Sequence, residues 1–524
     1  MSSETNGKSR STVERKFAIK NSVGRIVIIS FLLLLQIVLL AWGFLFLFSK
    51  MPMMLYVVYI VGFLFVIGIN AKDRTDDIKV VWIIIIMAFP FVGIIIYLLF
   101  HYSPAMHVIK KKIKHADNFM MENLVQDEDT LRTFESSAPH EFTMFKYLKD
   151  YAFYPFYTAT STKFYGNATE CYRSMIEDMR EAREFIFLEY HAIENKEAFE
   201  PLLECLTAKA GVGVDVRIIY DDIGSFVFVN SDFKKMLESV GIKCCIFNPM
   251  SPLFDVFMNN RDHRKICVID GRIGYTGGFN IANEYFNITH PFGEWYDTGV
   301  RLEGPAVKNF TAMFLSMWEL YDESLIDKDR DLFCRSIEPC HGSGFIVPYA
   351  DSPLDEELTG ENVYINILYN SKKYCWFTTP YLVISESLRR AISLASKRGV
   401  DVRIITPGIP DKKSVNKLTK SYYASLIEAG CMIYEFTPGF IHAKMCIADD
   451  KIAVVGTINL DYRSFYHHFE DAVLMFKTDC ISDIKTEFDK IITRCEDVTE
   501  KFSRRPNVFI RLGRTILRLV APML

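Results

Sequence analysis

One residue pattern occurs twice at a fixed offset, and it constrains the architecture more than anything else in the chain. His263-Arg264-Lys265 with Asp270 reads H-x-K-x4-D, and His442-Ala443-Lys444 with Asp449 reads the same. Gly277 and Asn280 follow the first copy; Gly456 and Asn459 follow the second. Each member of the second set stands 179 residues after its counterpart, as 442 does after 263. With average residue usage, one such motif arises by chance in roughly one in a few tens of chains this long. A second copy with Gly and Asn in step makes coincidence a poor account. The string Gly213-Val214-Asp215-Val216-Arg217-Ile218-Ile219 also recurs, as Gly399-Val400-Asp401-Val402-Arg403-Ile404-Ile405. A period this long excludes a solenoid. It predicts two homologous halves of one catalytic unit, with one site built from both.

Strand and helix patterns repeat the duplication. In the first half, helical spacing over Ala168–Ala182, Pro201–Ala210 and Phe233–Val240 alternates with strand-like runs at Phe185–Leu188, Val214–Tyr220, Lys243–Phe247 and Lys265–Ile269. Asp270-Gly271 is a hairpin signal leading into Arg272–Tyr275. The second half follows the same plan, with helices over Val363–Lys373, Ser385–Lys397 and Ser414–Ala429 and strands over Tyr374–Thr379, Val402–Thr406 and Met432–Phe436. Alternation of this kind predicts an α/β layered fold. The expected division is a membrane region over 1–104, a linker over 105–140, lobe 1 over 141–326, a connector over 327–344, lobe 2 over 345–503 and a terminal helix over 504–524.

Three uncharged stretches, Ile26–Phe48, Met51–Ile69 and Val80–Phe100, are each long enough, or nearly so, to cross the hydrocarbon core as a helix. The third contains Pro90 and Gly93, tolerable where a membrane helix packs on neighbours, and has Trp82 and Tyr97 near its ends. The expectation is a multi-pass protein of the cell membrane with two or three spans. Sidedness carries two opposing signals. Lys8, Arg10, Arg15, Lys16, Lys20 and Arg25 argue for a cytoplasmic N-terminus. Three full spans would then put the lobes outside, yet Lys110, Lys111, Lys112 and Lys114 pull them inside. A re-entrant first or second segment would reconcile the two. At the other end, Arg511, Arg514 and Arg518 mark a basic amphipathic helix, which either lies on an anionic membrane surface or docks on the protein. The net charge of −4 and the lack of a long basic run oppose nucleic acid as a partner. Twelve cysteines lie beyond the apolar stretches, without C-x2-C pairs; they fit reduced thiols as well as disulfides.

Two His, two Lys and two Asn in register suit a phosphodiester. One histidine can attack phosphorus while the other protonates the leaving alkoxide and later deprotonates the incoming alcohol. Lys265 and Lys444 would balance the charge on the equatorial oxygens, and Asn280 and Asn459 would donate hydrogen bonds to them. Asp270 and Asp449 complete the motifs, with turn capping their preferred role. Asp297 and Glu470 are the best candidates to orient the imidazoles, with Glu294 and Asp471 as substitutes. This chemistry requires no metal and no cofactor. Phe254, Phe257 and Met258 line a lipid entrance or belong to the core; the core reading is preferred.

The paired motifs resemble the phospholipase D superfamily. The surrounding residues are similar, more narrowly, to bacterial cardiolipin synthases: Asn260-Arg261-Asp262-His263-Arg264-Lys265, Gly277-Gly278-Phe279-Asn280 and Trp295-Tyr296-Asp297-Thr298 in the first half. In the second half they are Tyr349-Ala350-Asp351-Ser352-Pro353, Thr378-Thr379-Pro380-Tyr381, Pro438-Gly439-Phe440-Ile441-His442 and Gly456-Thr457-Ile458-Asn459-Leu460-Asp461-Tyr462-Arg463-Ser464. The resemblance implies two lobes of mixed β-sheet flanked by helices, related by a pseudo-two-fold axis. It also implies a reaction in which two phosphatidylglycerols at an anionic lipid membrane give cardiolipin and glycerol through a phosphohistidine. By analogy with the superfamily, His263 is the favoured nucleophile and His442 the acid. The alternatives are a phospholipase D-type hydrolase and a transferase that takes its phosphatidyl group from phosphatidylethanolamine. The family's usual form has two spans, so the extra apolar segment is a departure.

Overall fold

A computed structural model describes residues 53–72, 76–101, 104–230, 232–249, 259–320, 336–355, 357–503 and 508–523, with scattered positions elsewhere. Apart from such positions, the expected span Ile26–Phe48 lies outside the described residues, as do Phe254, Phe257, Met258 and residues 327–335 of the connector.

Two sheets carry the fold. The first is built from β1 (Ser161–Tyr165), β2 (Phe185–Tyr190), β3 (Asp215–Asp221), β4 (Lys243–Phe247), β5 (Lys265–Ile269), β6 (Ile273–Gly277) and β7 (Gly299–Glu303). The second is built from β8 (Phe345–Asp351), β9 (Tyr374–Thr378), β10 (Asp401–Pro407), β11 (Met432–Phe436), β12 (Lys444–Ala448), β13 (Ile452–Gly456), β14 (His468–Phe476) and β15 (Cys495–Asp497). The spatial orders are β1-β7-β6-β5-β2-β3-β4 and β8-β14-β13-β12-β9-β10-β11-β15. Strand for strand these match, with β15 added at one edge, so the duplicated sequence folds as a duplicated topology. In each sheet a three-stranded parallel part (β2-β3-β4, β9-β10-β11) joins an antiparallel part that holds the motif hairpin.

Local chemistry explains the elements. Every residue of β2 is buried, as expected of a strand covered on both faces. The helix Ala168–Arg180 buries Cys171, Tyr172, Met175, Ile176 and Met179, one stripe at helical spacing, and Asn167 caps its start by accepting from the Thr169 and Glu170 N–H groups. Each motif hairpin turns on two successive residues with positive φ, Asp270 and Gly271 or Asp449 and Asp450, the backbone of a type I′ turn.

The N-terminal part corrects two expectations. Residues 105–140 are not a bare linker: helices Pro104–Asn123 and Glu128–Ser137 run through them. Ile113, Ala116, Leu124 and Phe134 are buried there, and Phe134 stacks on Phe345 of β8 at 3.8 Å between ring centroids. High charge concealed a sparse apolar stripe. Burying that one phenylalanine contributes roughly 1.5–3 kcal/mol. The stretch Val80–Phe100 is not one helix either. It breaks at Phe89 into Asp76–Ala88 and Pro90–His101. A Cβ on Gly93 would lie 2.8 Å from the Ile86 Cα. Residues seven apart along one helix are about 10 Å apart, so the chain folds back as a hairpin. Trp82 and Tyr97, expected at opposite membrane faces, meet at 5.3 Å between ring centroids. Among the described residues, no helix is long and apolar enough to cross a membrane. The longest apolar helix, Met53–Asn70, has 18 residues and rises about 27 Å, short of the roughly 30 Å hydrocarbon core.

The terminal helix Val508–Val520 combines the two readings of its sequence. Arg518 donates to the Ser421 backbone and hydroxyl oxygens and lies 4.6 Å from the Tyr422 ring centroid, which docks the helix. Phe509, Leu512, Ile516 and Leu519 stay exposed. All eleven described cysteines are free thiols.

Candidate active site

The lobes meet by exchanging strands, and this exchange builds the site. Arg261–Asp262 pairs in parallel with His468 and Phe469 at the start of β14. Glu294–Tyr296 pairs in parallel with Gly439–Ile441. Each pairing ends one residue before a motif histidine. The His263 N–H donates to the Phe469 carbonyl at 2.9 Å, and the His442 N–H to the Tyr296 carbonyl at 2.8 Å. Residues in step on parallel strands point to the same face. His263 therefore lies beside Glu470, and His442 beside Asp297.

The imidazole contacts follow. The His263 Nδ1 lies 2.8 Å and 3.0 Å from the two Glu470 carboxylate oxygens. The His442 Nδ1 lies 2.7 Å from Asp297 Oδ2. Each histidine takes its carboxylate from the opposite lobe. A carboxylate at Nδ1 fixes that nitrogen as the protonated one and leaves Nε2 for chemistry. The Thr457 hydroxyl donates to Glu470 at 2.5 Å. Gly278 stands 179 residues before Thr457, and a Cβ there would lie 2.1 Å from Asp297 Oδ1. The glycine makes room for the carboxylate.

The remaining candidates divide into those at the centre and those held away from it. Lys265 and Lys444 are buried, and each ammonium group donates to the backbone carbonyl of its own histidine, at 2.7 Å and 2.5 Å. The Lys444 Nζ also rests 2.8 Å from His442 Nδ1 and 2.9 Å from its Nε2. Asn280 donates to the Tyr285 hydroxyl and accepts from the Ala192 N–H. The buried Asn459 side-chain oxygen has no partner among the described residues. Asp270 and Asp449 sit at the far ends of β5 and β12. Asp270 accepts from the Arg183, Glu184 and Phe185 N–H groups, and Asp449 from those of Lys372, Lys373 and Tyr374. With strands of five residues between, they lie about 20 Å from the histidines and act on the turns. Of the two substitutes, Asp471 accepts from the Lys265 N–H and the Thr276 hydroxyl, and Glu294 pairs with Arg494 at the surface.

Burial sets the protonation states. Desolvation, with the Lys265 and Lys444 charges adding to it, holds His263 well below the usual imidazole range; for His442 the cause is the same, with Lys444 the nearest charge. Burial lowers Lys265 to about 8 and Lys444 to about 7, and raises Asp297 to about 6. Burial thus disfavours the charged forms of both imidazoles and both lysines, and an arriving phosphodiester anion favours protonated lysines and a protonated His442.

Sequence reasoning missed several neighbours. His191 and His468 lie 5.0 Å and 5.3 Å from His263 between ring centroids. Tyr285 and Trp295 lie 5.3 Å and 5.2 Å from His442. Gly278 and Thr457 were visible in sequence as the residues after the repeated glycines; His191 carried no signal.

A duplicated mixed α/β fold joined by crossed strands, with one H-x-K motif from each half at a common centre, defines a phospholipase D-type catalytic unit. The same class of fold occurs in phosphatidylserine synthase from Haemophilus influenzae, with a TM-score of 0.55 at 16% identity over 74% of this chain and 100% of that one. The family described as "Cardiolipin synthase, PLD-like domain" matches residues 175–318 and 364–492, and "Phospholipase_D-nuclease N-terminal" matches 57–100. The chain belongs to the cardiolipin synthase, phospholipase D-like family. An uncharacterised protein of Streptococcus mutans is 39% identical over 86% of this chain and 98% of its own length. Cardiolipin synthases of Clostridium perfringens and Geobacillus kaustophilus are 32% and 30% identical, over 86% and 87% of this chain and 95% and 91% of theirs.

Proposed function

We propose that the protein is a cardiolipin synthase. In this reading it transfers a phosphatidyl group from one phosphatidylglycerol to the hydroxyl of another and releases glycerol. The crossed His-carboxylate pairs carry the proposal, because they give the two imidazoles complementary roles at one phosphorus. His263 Nε2 has no hydrogen-bond partner among the described residues, whereas His442 Nε2 is covered by Lys444, which supports His263 as nucleophile. Its lone pair forms the P–N bond as the P–O bond to glycerol breaks, and His442 in its protonated form gives its proton to the leaving oxygen. The incoming lipid hydroxyl then returns a proton to His442 and attacks phosphorus, freeing His263. Lys265 and Lys444 swing from their backbone carbonyls to the phosphate oxygens, with Asn280 and Asn459 completing the cradle. Both carboxylates and both lysines are buried, which disfavours water as the acceptor. Purified protein given phosphatidylglycerol vesicles is expected to release one glycerol per cardiolipin formed. Phosphatidic acid as the main product would establish hydrolysis instead. Cardiolipin formed only when phosphatidylethanolamine is added would identify that lipid as the donor.

The same reading places the protein in the membrane with its lobes on the cytoplasmic side. Tyr56, Ile60, Phe63 and Leu64 on one helix and Ile84 and Phe89 on the hairpin expose apolar side chains, and large exposed apolar surface marks a membrane contact. The hairpin returns to the side from which it started, so it removes the parity conflict in the sequence. Two crossings over the sequence stretches Ile26–Phe48 and Met51–Ile69, the second short enough to require local bilayer thinning, put the N-terminus, Lys72, Lys79 and Lys110–Lys114 on one side. Asp77, at the base of the hairpin, accepts from the Tyr462 hydroxyl and the Glu386 N–H of the second lobe. A cysteine introduced at exposed Lys235 should resist impermeant maleimide in intact cells and react after lysis. Labelling from outside would refute this topology.

A further inference from the structure

We propose that His263, His468 and Glu470 form a binding site for one divalent transition-metal ion of zinc's class, and that occupancy of this site silences His263. His468 is the observation that calls for an explanation. It is only 8% exposed and sits in the catalytic centre, yet neither ring nitrogen has a hydrogen-bond partner among the described residues. Buried polar groups are nearly always satisfied. Its Nδ1 lies 3.5 Å from Glu470 Oε1, longer than a hydrogen bond. The same carboxylate sits 2.8 Å from His263 Nδ1. One donor atom from each of the three residues lies within 4.8 Å of the others.

Two imidazoles and one carboxylate, with a fourth position open, are the donor set of three-ligand zinc sites. Tetrahedral bonds of 2.0–2.1 Å put ligand atoms roughly 3.4 Å apart, so the rings must close by on the order of 1 Å. Nitrogen-rich donors select zinc, copper or nickel over magnesium or calcium. His191 closes the remaining side. Its Nδ1 is engaged with the Asp262 carbonyl at 2.7 Å, which leaves Nε2 as a fourth donor or as a wall.

The binding claim stands on this geometry alone. Its effect on turnover rests on the phosphatidyl-transfer reading: an ion shared between Glu470 and His263 takes the carboxylate away from the imidazole and draws electron density out of the ring.

The test uses the full chain, purified in detergent without a histidine tag and titrated with zinc chloride against a chromophoric chelator. Wild type is expected to bind one zinc that His468→Ala weakens at least about tenfold, with equal melting midpoints for the two proteins. His468→Asn serves if the alanine variant does not fold. Cobalt(II) in place of zinc should give visible d–d bands without a thiolate charge-transfer band, which excludes the cysteines. Unchanged affinity in both variants, or a thiolate band, overturns the site. Zinc bound at this site with glycerol release undiminished overturns the silencing role. Failure of metal-free wild type to form cardiolipin would refute the transfer reading and leave the binding result standing.

Discussion

Alanine at either His263 or His442 is expected to lower cardiolipin formation by at least about 10⁴-fold, because each removal deletes either the nucleophile or the proton carrier and nothing nearby replaces it. The neighbouring imidazoles do not substitute. His191 points its Nδ1 at a backbone carbonyl, and His468 has no carboxylate at hydrogen-bond distance to fix its tautomer. The two variants separate when the intermediate is sought. With phosphatidylglycerol labelled in its phosphate, His442→Asn retains the nucleophile but cannot protonate the departing glycerol efficiently. It should accumulate a slow, denaturation-stable, acid-labile adduct. His263→Asn should carry no label. Label on His263→Asn alone would exchange the two roles, and near wild-type turnover in either alanine variant would end the shared-site mechanism. Circular dichroism melting guards the interpretation, since truncating His263 leaves the buried Glu470 carboxylate without its ring partner.

The duplication and the alternation of strands and helices within each lobe were legible in the sequence, and the paired His, Lys and Asn stood out as candidates, because each rests on a local pattern repeated at one offset. The crossing was not. Nothing in the spacing indicates that Asp297 serves His442 and Glu470 serves His263; that depends on two short strands, Arg261–Asp262 and Glu294–Tyr296, pairing with the opposite lobe. The His468 cluster was hidden for the same reason, since its members come from both halves. Asp270 and Asp449 show the opposite case, in which the preferred reading, turn capping, needed only local pattern. They are as strongly patterned as the histidines, but the pattern reports a turn: three N–H groups converge on each carboxylate. The misread membrane hairpin has a further cause. Hydropathy is blind to direction, so an apolar run of spanning length that doubles back at Phe89–Pro90 looks the same as one that continues.

Asp297→Asn and Glu470→Gln should each cost roughly 10²- to 10⁴-fold in kcat/KM while leaving the fold intact. The amide keeps the shape but loses the charge, and it can present N–H to Nδ1, which favours the wrong tautomer. The pH profile tells orientation from mere packing. Asp297 is raised by burial to about 6, so it takes up a proton as pH falls through 6 and releases its hold on His442. Burial holds both imidazoles below their usual range, and protonation of Asp297 sets the acid limb. On the other side Lys444 and Lys265, lowered to about 7 and about 8, lose their charges as pH rises through those values and no longer attract the phosphodiester. Wild-type kcat/KM should therefore peak between about 6 and 7 and fall on both sides, the alkaline fall expressed mainly in KM. In Asp297→Asn the residual activity should keep the alkaline limb and lose the acid limb near 6. In Glu470→Gln both limbs should persist, because Asp297 is still present. An acid limb unchanged in Asp297→Asn would refute this assignment, and full activity in both variants would mean that the crossed carboxylates serve structure alone.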